Sequence, residues 1–490
     1  MSAIPPIQHP DQLFIGGKWV KPSGNPTFDV FNSATEELFV SVAEAQAADM
    51  SAAVAAARHA FDHGPWPRMT PGERATYMKR IAHELALRAD DQANTWVIES
   101  GVTLAIARGR ADAVAGVWEF YAGLAETFPF REVHEPAVAK VGLLVREPVG
   151  VVAAIIPWNG PLLMLAYKCA PALLAGCTVV VKGSPEAPGA AYLFAEVCEK
   201  IGLPPGVVNV VIADREVSEL LVRNPDIDKV TFTGSTAAGR RIASICGERI
   251  ARCTLELGGK SAAVILDDYD VEQAAKTISA MSMFLTGQVC SSLTRIIVDR
   301  RRHDDLVDAL SACFSTVKIG DPFDLTTQLG PLATSQQRGR VESYIQLGQE
   351  EGARLAAGGK RPAHLNRGYF IEPTVFANVE NRSRLAREEI FGPVLVVIPA
   401  DSEEAAIQIA NDTIFGLNNS VFTNDIDRAY QVARRLRSGT VGHNSVRSDF
   451  GIAFGGFKQS GLGREGGREG LLPFLEAKTL LMDAMPNERG

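Results

Sequence analysis

Two kinds of pattern alternate along most of the chain: short β-branched runs in which nearly every position is apolar, and longer stretches in which apolar residues recur every three to four positions. After Val149 the order is strand (Val151 to Ile156), helix (Leu162 to Leu174), strand (Thr178 to Val181) and helix (Pro188 to Ile201). It continues with strand (Val208 to Ile212), helix (Val217 to Val222), strand (Lys229 to Phe232), helix (Ala237 to Cys246) and strand (Arg252 to Leu257). Apolar strands separated by helices predict a parallel sheet covered on both faces, a doubly wound α/β fold. Gly258-Gly259-Lys260 then breaks the pattern. A second series follows: Ala262 to Leu266, a helix to Phe284, Thr294 to Val298 and a helix to Val317. Upstream, Ala47 to Phe61 and the segment opening at Thr70-Pro71 read as helices, Thr70 suiting the N-cap and Pro71 the first helical position. Strand-like pieces in Glu126 to Glu147 and at Lys478 to Met482 stand outside both series and suggest an arm that pairs with another subunit.

Composition narrows the class. The chain of 490 residues has room for roughly two to four domains. With 46% hydrophobic and 22% charged residues it has the balance of a globular protein. Its 49 basic and 57 acidic residues leave a net charge of −8, so there is no basic excess for nucleic acid. MSAIPPIQHPDQ lacks a basic segment followed by an apolar one, and no apolar run approaches the roughly 18 to 20 residues that span a bilayer. The expectation is a cytoplasmic protein that does not cross a membrane. Seven cysteines, an odd number with no CxxC pair, read as reduced thiols, and eight histidines without HExxH offer no metal site.

Candidate chemistry lies in the turns. Gly461-Leu-Gly463-Arg-Glu-Gly466 fits GxGxxG, but Phe457-Lys-Gln-Ser precedes it where a dinucleotide fingerprint needs an apolar strand. Phe232-Thr-Gly234-Ser235, with Gly239 beyond, joins a strand to a helix; it is either an anion site at a helix N-terminus or a plain N-cap turn. Cys290, in Gly287-Gln-Val-Cys-Ser-Ser, is either a nucleophile or a small buried hydrophobe. Glu256 ends a strand between leucines, where desolvation would raise its pKa toward a general base's range; its alternative is an ion pair with Lys260. Asn159, in Pro-Trp-Asn-Gly-Pro, could donate to an oxyanion or simply make a turn.

Pro157-Trp-Asn159, Phe232-Thr-Gly-Ser235, Leu255-Glu-Leu-Gly-Gly-Lys260, Gly287-Gln-Val-Cys290 and Glu388-Glu-Ile-Phe391-Gly-Pro393 together, in this order and spacing, resemble the aldehyde dehydrogenase superfamily, non-acylating and NAD(P)-dependent, from about Leu13 to about Met482. The resemblance implies an α/β subunit with a Rossmann-type cofactor domain (1–125 and 148–257), a second α/β catalytic domain (258–460) and a β-strand oligomerisation arm (126–147 and 470–490), assembled as a homodimer or homotetramer. By the same carry-over, Cys290 attacks an aldehyde to form a thiohemiacetal. Asn159 and the Cys290 N–H hold the oxyanion, hydride transfer to NAD leaves a thioester, and Glu256 activates the water that cleaves it. Lys168 and Glu465 complete a proton path. Trp158, Lys182, Ser235, Glu389 and Phe391 contact the cofactor, joined by Ile155, Gly234, Gly239 and Leu257.

Departures from the family pattern bear on specificity. A glutamate is usual three residues after the lysine; here Glu186 arrives four after Lys182, where it would repel a 2′-phosphate and favour NAD, while NADP becomes possible if it cannot reach. Gly160 replaces a common phenylalanine and Ala453 a common proline, so a wide, mainly apolar pocket for an aromatic or terpenoid aldehyde is expected. The alternatives are an NADP-preferring semialdehyde dehydrogenase, for which Arg447 would bind the acid, and a cysteine esterase without redox function.

Overall fold

The computed structural model describes residues 5–487, so residues 1–4 of the expected first domain and 488–490 of the expected arm lie outside the described residues. The chain begins with two small hairpins. Gly16 and Gly17, both at positive φ, turn β1 (Leu13–Ile15) back onto β2 (Lys18–Val20). β3 (Thr27–Phe31) and β4 (Leu38–Ala43) make a separate two-stranded sheet. Four helices follow: α1 (Ala47–Asp62), α2 (Pro71–Leu87), α3 (Ala89–Ser100) and α4 (Leu104–Thr127). Thr70 caps α2 as expected, its hydroxyl accepting from the Glu73 N–H at 3.2 Å while the Glu73 carboxylate accepts from the Thr70 N–H at 2.7 Å. Because α4 continues through Thr127, the strand character expected from Glu126 starts only at β5 (Arg131–His134), before β6 (Val141–Pro148).

The main series then runs β7 (Val151–Ile155), α5 (Pro161–Ala175), β8 (Thr178–Gly183), α6 (Gly189–Lys200) and β9 (Val208–Ile212). It closes with α7 (Arg215–Arg223), β10 (Lys229–Thr233), α8 (Thr236–Glu248) and β11 (Arg252–Glu256). All nine expected elements are present within two residues of their expected bounds. These strands are parallel and buried on both faces, which is why they read as continuous apolar runs.

A second series follows: β12 (Ser261–Ile265), α9 (Val271–Ser282), β13 (Leu293–Asp299), α10 (His303–Ser315), α11 (Ser335–Glu350) and β14 (Arg354–Ala357). Next come β15 (Thr374–Ala377), α12 (Arg384–Arg387), β16 (Val394–Ala400), α13 (Glu403–Asn411), β17 (Asn418–Phe422), α14 (Ile426–Arg435) and β18 (Thr440–His443). The chain ends with β19 (Gly461–Leu462) and β20 (Leu475–Met482).

The first sheet has the order β19-β11-β10-β7-β8-β9-β1-β2, and the second β14-β15-β16-β13-β12-β17-β18. Chain order reverses between β7 and β10, and the crevice beyond the carboxyl ends of strands at such a reversal is where open α/β sheets bind ligands. Residues 257–260 alone link the end of β11 to the start of β12, so the carboxyl edge of one sheet faces the amino edge of the other. The third sheet, β20-β6-β5, joins strands from the two segments that stood outside both series, and β20 pairs with β6 along all eight of its residues. β19 carries the GxGxxG look-alike and pairs antiparallel with β11, so no strand–turn–helix unit forms there.

Arg295 holds the link between the sheets. Its fully buried guanidinium donates to the Lys260 carbonyl at 2.9 Å, the Asn381 side chain and the Ile409 carbonyl at 3.0 Å each, and the Ala410 carbonyl at 2.7 Å. Burial pulls its pKa down to about 10. Arg295→Met would leave these buried acceptors unmatched, at about 1–3 kcal/mol for each that finds no water. Differential scanning calorimetry should show a fall in Tm of several degrees; an unchanged Tm contradicts this role.

Candidate active site

The turn after β7 is fastened from α3. Trp96 Nε1 donates to the Asn159 carbonyl at 3.1 Å, and Ser100 Oγ donates to the Trp158 carbonyl at 2.9 Å. With the backbone held, Asn159 Nδ2 donates to the Gln288 carbonyl at 2.8 Å, which ties the turn to the loop before β13. Gln288 is braced in turn: its Oε1 accepts from the Ala333 N–H at 3.0 Å and its Nε2 donates to the Leu285 carbonyl at 2.9 Å. Leu285, Thr286 and Gly287 are consecutive left-handed residues (φ 50°, 55° and 70°), an unfavourable run that brings the chain sharply round to Cys290.

Glycines set how closely the segments approach. A Cβ on Gly259 would lie 2.3 Å from the Cys290 carbonyl oxygen, and one on Gly258 would lie 2.4 Å from Glu389 Oε2. Glu389 Oε1 accepts from the Gly259 N–H at 2.9 Å. Phe391, two residues on, has φ 65° and meets Trp158 edge-on, centroids 5.4 Å apart at 85°. The structure thus gathers Asn159, Glu256, Cys290, Glu389, Trp158 and Phe391 around the junction of the two sheets.

Charge at this junction is poorly solvated. Glu256 is 3% exposed, and neither carboxylate oxygen has a hydrogen-bond partner. Burial first, and then the like charge of Glu465, hold its pKa well above the ordinary carboxylate range. The alternative ion pair with Lys260 does not form: Lys260 Nζ is buried without a hydrogen-bond partner, and burial brings its pKa down to about 7. Lys168, fully buried, instead donates to Glu465 Oε1 at 2.5 Å, and Thr231 Oγ1 donates to the same oxygen at 3.3 Å. Burial pushes the Cys290 thiol up to about 12, aided by the charges of Glu389 and Glu256 and opposed by the Ser291 and Cys290 N–H groups. Glu389 itself is raised by burial to about 7.

A second group lies around the ends of β8 and β10. Ser235 caps α8, its Oγ accepting from the Ala238 N–H at 3.2 Å, while the Gly234 N–H donates to the Glu256 carbonyl at 3.0 Å. A Cβ on Gly239 would strike Leu257, so that glycine lets α8 close down on Leu257, within a core that also holds Ile155. Lys182 is half-buried, its pKa lowered to about 8 by burial against the pull of Glu186 and Asp214. Glu186 is exposed and accepts from Ser184 Oγ. With Asp214 and Arg215 it lines a cleft of about 410 Å³ that Phe28 and Tyr369 flank. Arg447 is exposed and donates to the His443 carbonyl at 3.3 Å.

Trp96, Ser100, Gln288 and Lys260 were not identified as site residues from sequence. The first two act through backbone carbonyls more than 50 residues away and leave no local signal. Among the described residues no cluster of three or more His, Cys, Asp or Glu could hold a metal, and no helix is long and apolar enough to cross a membrane. Because Glu389 disfavours the Cys290 thiolate, Glu389→Gln should speed iodoacetamide alkylation of Cys290 at pH 8, by about tenfold for each pKa unit relieved. Intact-mass time courses check this, and an unchanged rate contradicts it.

Comparison with known proteins converges on one family. The model of the aldehyde dehydrogenase family matches residues 19–480. Geranial dehydrogenase of Castellaniella defragrans is 42% identical over 97% of this chain and 99% of its own length. Betaine aldehyde dehydrogenase of Bacillus subtilis is 37% identical over 97% and 98%. Among solved structures, an aldehyde dehydrogenase of Mycobacterium tuberculosis complexed with NAD+ superposes with TM-score 0.94 at 45% identity, covering 96% of this chain and 98% of that one. A Pseudomonas syringae aldehyde dehydrogenase mutant complexed with NAD+ and octanal gives TM-score 0.94 at 37% identity, covering 98% and 99%. The two-sheet fold, the cysteine and carboxylate at its junction, and a family match over nearly the whole length establish that this chain belongs to the aldehyde dehydrogenase family.

Proposed function

We propose that this chain oxidises a bulky, mainly apolar aldehyde to the carboxylic acid with NAD+, through a thiohemiacetal and then a thioester on Cys290. The reading rests on one observation above all: an unpaired, desolvated carboxylate, Glu256, beside a partly exposed thiol, Cys290, whose loop Asn159 braces.

Each residue's part follows from its surroundings. Cys290 must lose its proton to attack, and the Ser291 and Cys290 N–H groups favour the thiolate against burial and the charges of Glu389 and Glu256. The attacked carbonyl gathers negative charge on oxygen. One Asn159 amide hydrogen is committed to Gln288, leaving the other, with the Cys290 N–H, to hold that oxyanion. After oxidation the thioester needs water, and ionised Glu256 takes the water's proton. Glu465 and Lys168, joined at 2.5 Å with Thr231 alongside, stand ready to pass that proton onward.

The cofactor-side residues fit NAD+. The glycine-containing turn and N-terminus of α8 suit a pyrophosphate, Glu389 suits a ribose hydroxyl, and Trp158 and Phe391 suit a flat ring. Bound there, NAD+ supplies the hydride acceptor. Glu186 beside Lys182 favours the unphosphorylated ribose, although the cleft also holds Arg215. The cofactor and catalytic division near residue 258 and the arm at 126–147 and 470–490 are retained in this reading. The exposed Val133, Leu481 and Met482 on the arm suit a second copy of the chain.

The substrate class rests on space and aromatic surface. A Cβ on Gly160 would meet nothing within 4 Å, so the position next to Asn159 is open. On the following helix Tyr167 stacks on Phe450, which stacks on Phe454, with centroids 4.3 Å apart in both pairs. Leu163, Phe284 and Val289 add partly buried apolar surface around the same core.

Two outcomes are expected. Glu256→Gln should keep the first-turnover burst of NADH and lower steady-state kcat by about 10²–10⁴, as loss of a general base does. Because the pKa of Glu256 is raised, wild-type kcat should rise with pH through that pKa and fall away below it, and the variant should lose the rise. Loss of the burst together with the steady state would assign Glu256 elsewhere. In a kcat/KM survey, terpenoid and aromatic aldehydes should exceed acetaldehyde and a trimethylammonium aldehyde, and Gly160→Phe should reduce that lead. Preference for the small or cationic aldehyde overturns the substrate assignment.

A further inference from the structure

Cys246 and Cys253 lie at the two ends of the turn that joins α8 to β11. The turn folds tightly: the Ala251 N–H donates to the Cys246 carbonyl at 2.9 Å, and Ile250 adopts a left-handed φ of 56°. This brings the last turn of the helix against the first residues of the strand. The two side chains are close enough there to act on each other, Cys246 inside an apolar cluster and Cys253 packed against it. Cys246 is 1% exposed and Cys253 is partly exposed, so only one of the pair is open to a small reagent from solvent.

Cations surround the pair. Arg249 acts on Cys246, and its Nε and Nη2 are buried without hydrogen-bond partners, which is costly unless a negative charge forms beside them. Lys229, buried one strand away, acts on both sulfurs while its Nζ donates to Thr254 Oγ1 at 2.7 Å. Of the two, Cys253 is the thiol drawn down, chiefly by its contact with Cys246, whereas Cys246 is raised. Cys290, beside two carboxylates, is pushed to about 12. Attack on an oxidant needs the thiolate, so the thiol poised for it in the resting chain is Cys253 and not the nucleophile of the site.

We propose that Cys246 and Cys253 form a redox-active dithiol that a hydroperoxide closes to a reversible disulfide, ahead of any oxidation of Cys290. The Cys253 thiolate attacks the outer oxygen of the hydroperoxide, the O–O bond breaks, and the remaining fragment leaves as alcohol or water after taking up a proton. Cys253 is now a sulfenic acid. The Cys246 sulfur then attacks it, the S–S bond forms as the S–O bond breaks, and water departs with the Cys246 proton. Two thiols lose two electrons in all, and the peroxide gains them. The linkage ties the end of the helix that Ser235 opens to the start of the strand that Glu256 ends, and a dithiol reductant reverses it.

Equimolar hydrogen peroxide on the reduced full-length protein, quenched with a thiol-alkylating reagent and digested with trypsin, tests this. The expected product is peptide 242–249 joined to peptide 253–260 less two hydrogens, with Cys290 recovered as the alkylated thiol. Dithiothreitol should remove the joined species, Cys253→Ser should abolish it, and Cys290→Ala should leave its yield unchanged. In Cys246→Ser a dimedone adduct should accumulate on Cys253. Oxidation of Cys290 before any joined peptide forms, or sulfinic acid on Cys253 in the wild-type chain without the joined peptide, overturns the proposal.

Discussion

Backbone proximity at two glycines governs this structure. Gly258 and Gly259 leave no room for a Cβ, because the Glu389 carboxylate and the Cys290 carbonyl occupy that space. The short link 257–260 therefore connects the two sheets and also provides the surface on which two reactive segments rest. Arg295 fixes the link from behind through the Lys260 carbonyl, and Asn159 fixes the Cys290 loop from the opposite side through the Gln288 carbonyl. Left-handed geometry at Leu285, Thr286 and Gly287 persists because both ends of that loop are held.

Such tight packing excludes water, and the electrostatics follow. A carboxylate without partners, a lysine without partners and a raised thiol share the junction because backbone and apolar atoms fill the surrounding volume. Each charge is destabilised, and each is thereby prepared to exchange a proton. The exception is the Lys168–Glu465 pair, whose direct contact neutralises one carboxylate and leaves Glu256 as the uncompensated one.

Much of this was legible in the sequence, for a physical reason. Doubly buried parallel strands are nearly all apolar, so the elements from Val151 to Glu256 stood out. β1, β2 and β19 did not, because two or three residues cannot display a period. Outside the two series, two strands were expected and the separate sheet has three, its first strand starting later because of the last turn of α4. Cys290, Glu256 and Asn159 could be picked out as candidates because each lies in a recognisable strand-end or turn motif. Trp96 and Ser100 act through hydrogen bonds to distant main-chain atoms, and Lys168 meets Glu465 across 297 positions, so only the fold, or a known relative's pattern, could pair them.

The account depends on Glu256 being an unpaired, desolvated carboxyl. Infrared difference spectroscopy of the wild-type chain against Glu256→Gln, taken across a pH titration, observes that group directly. A protonated-carboxyl band that belongs to Glu256 and persists well above the pH at which an ordinary carboxylate ionises is the predicted result. A Glu256 signal that is fully ionised through the mildly acidic range would contradict it.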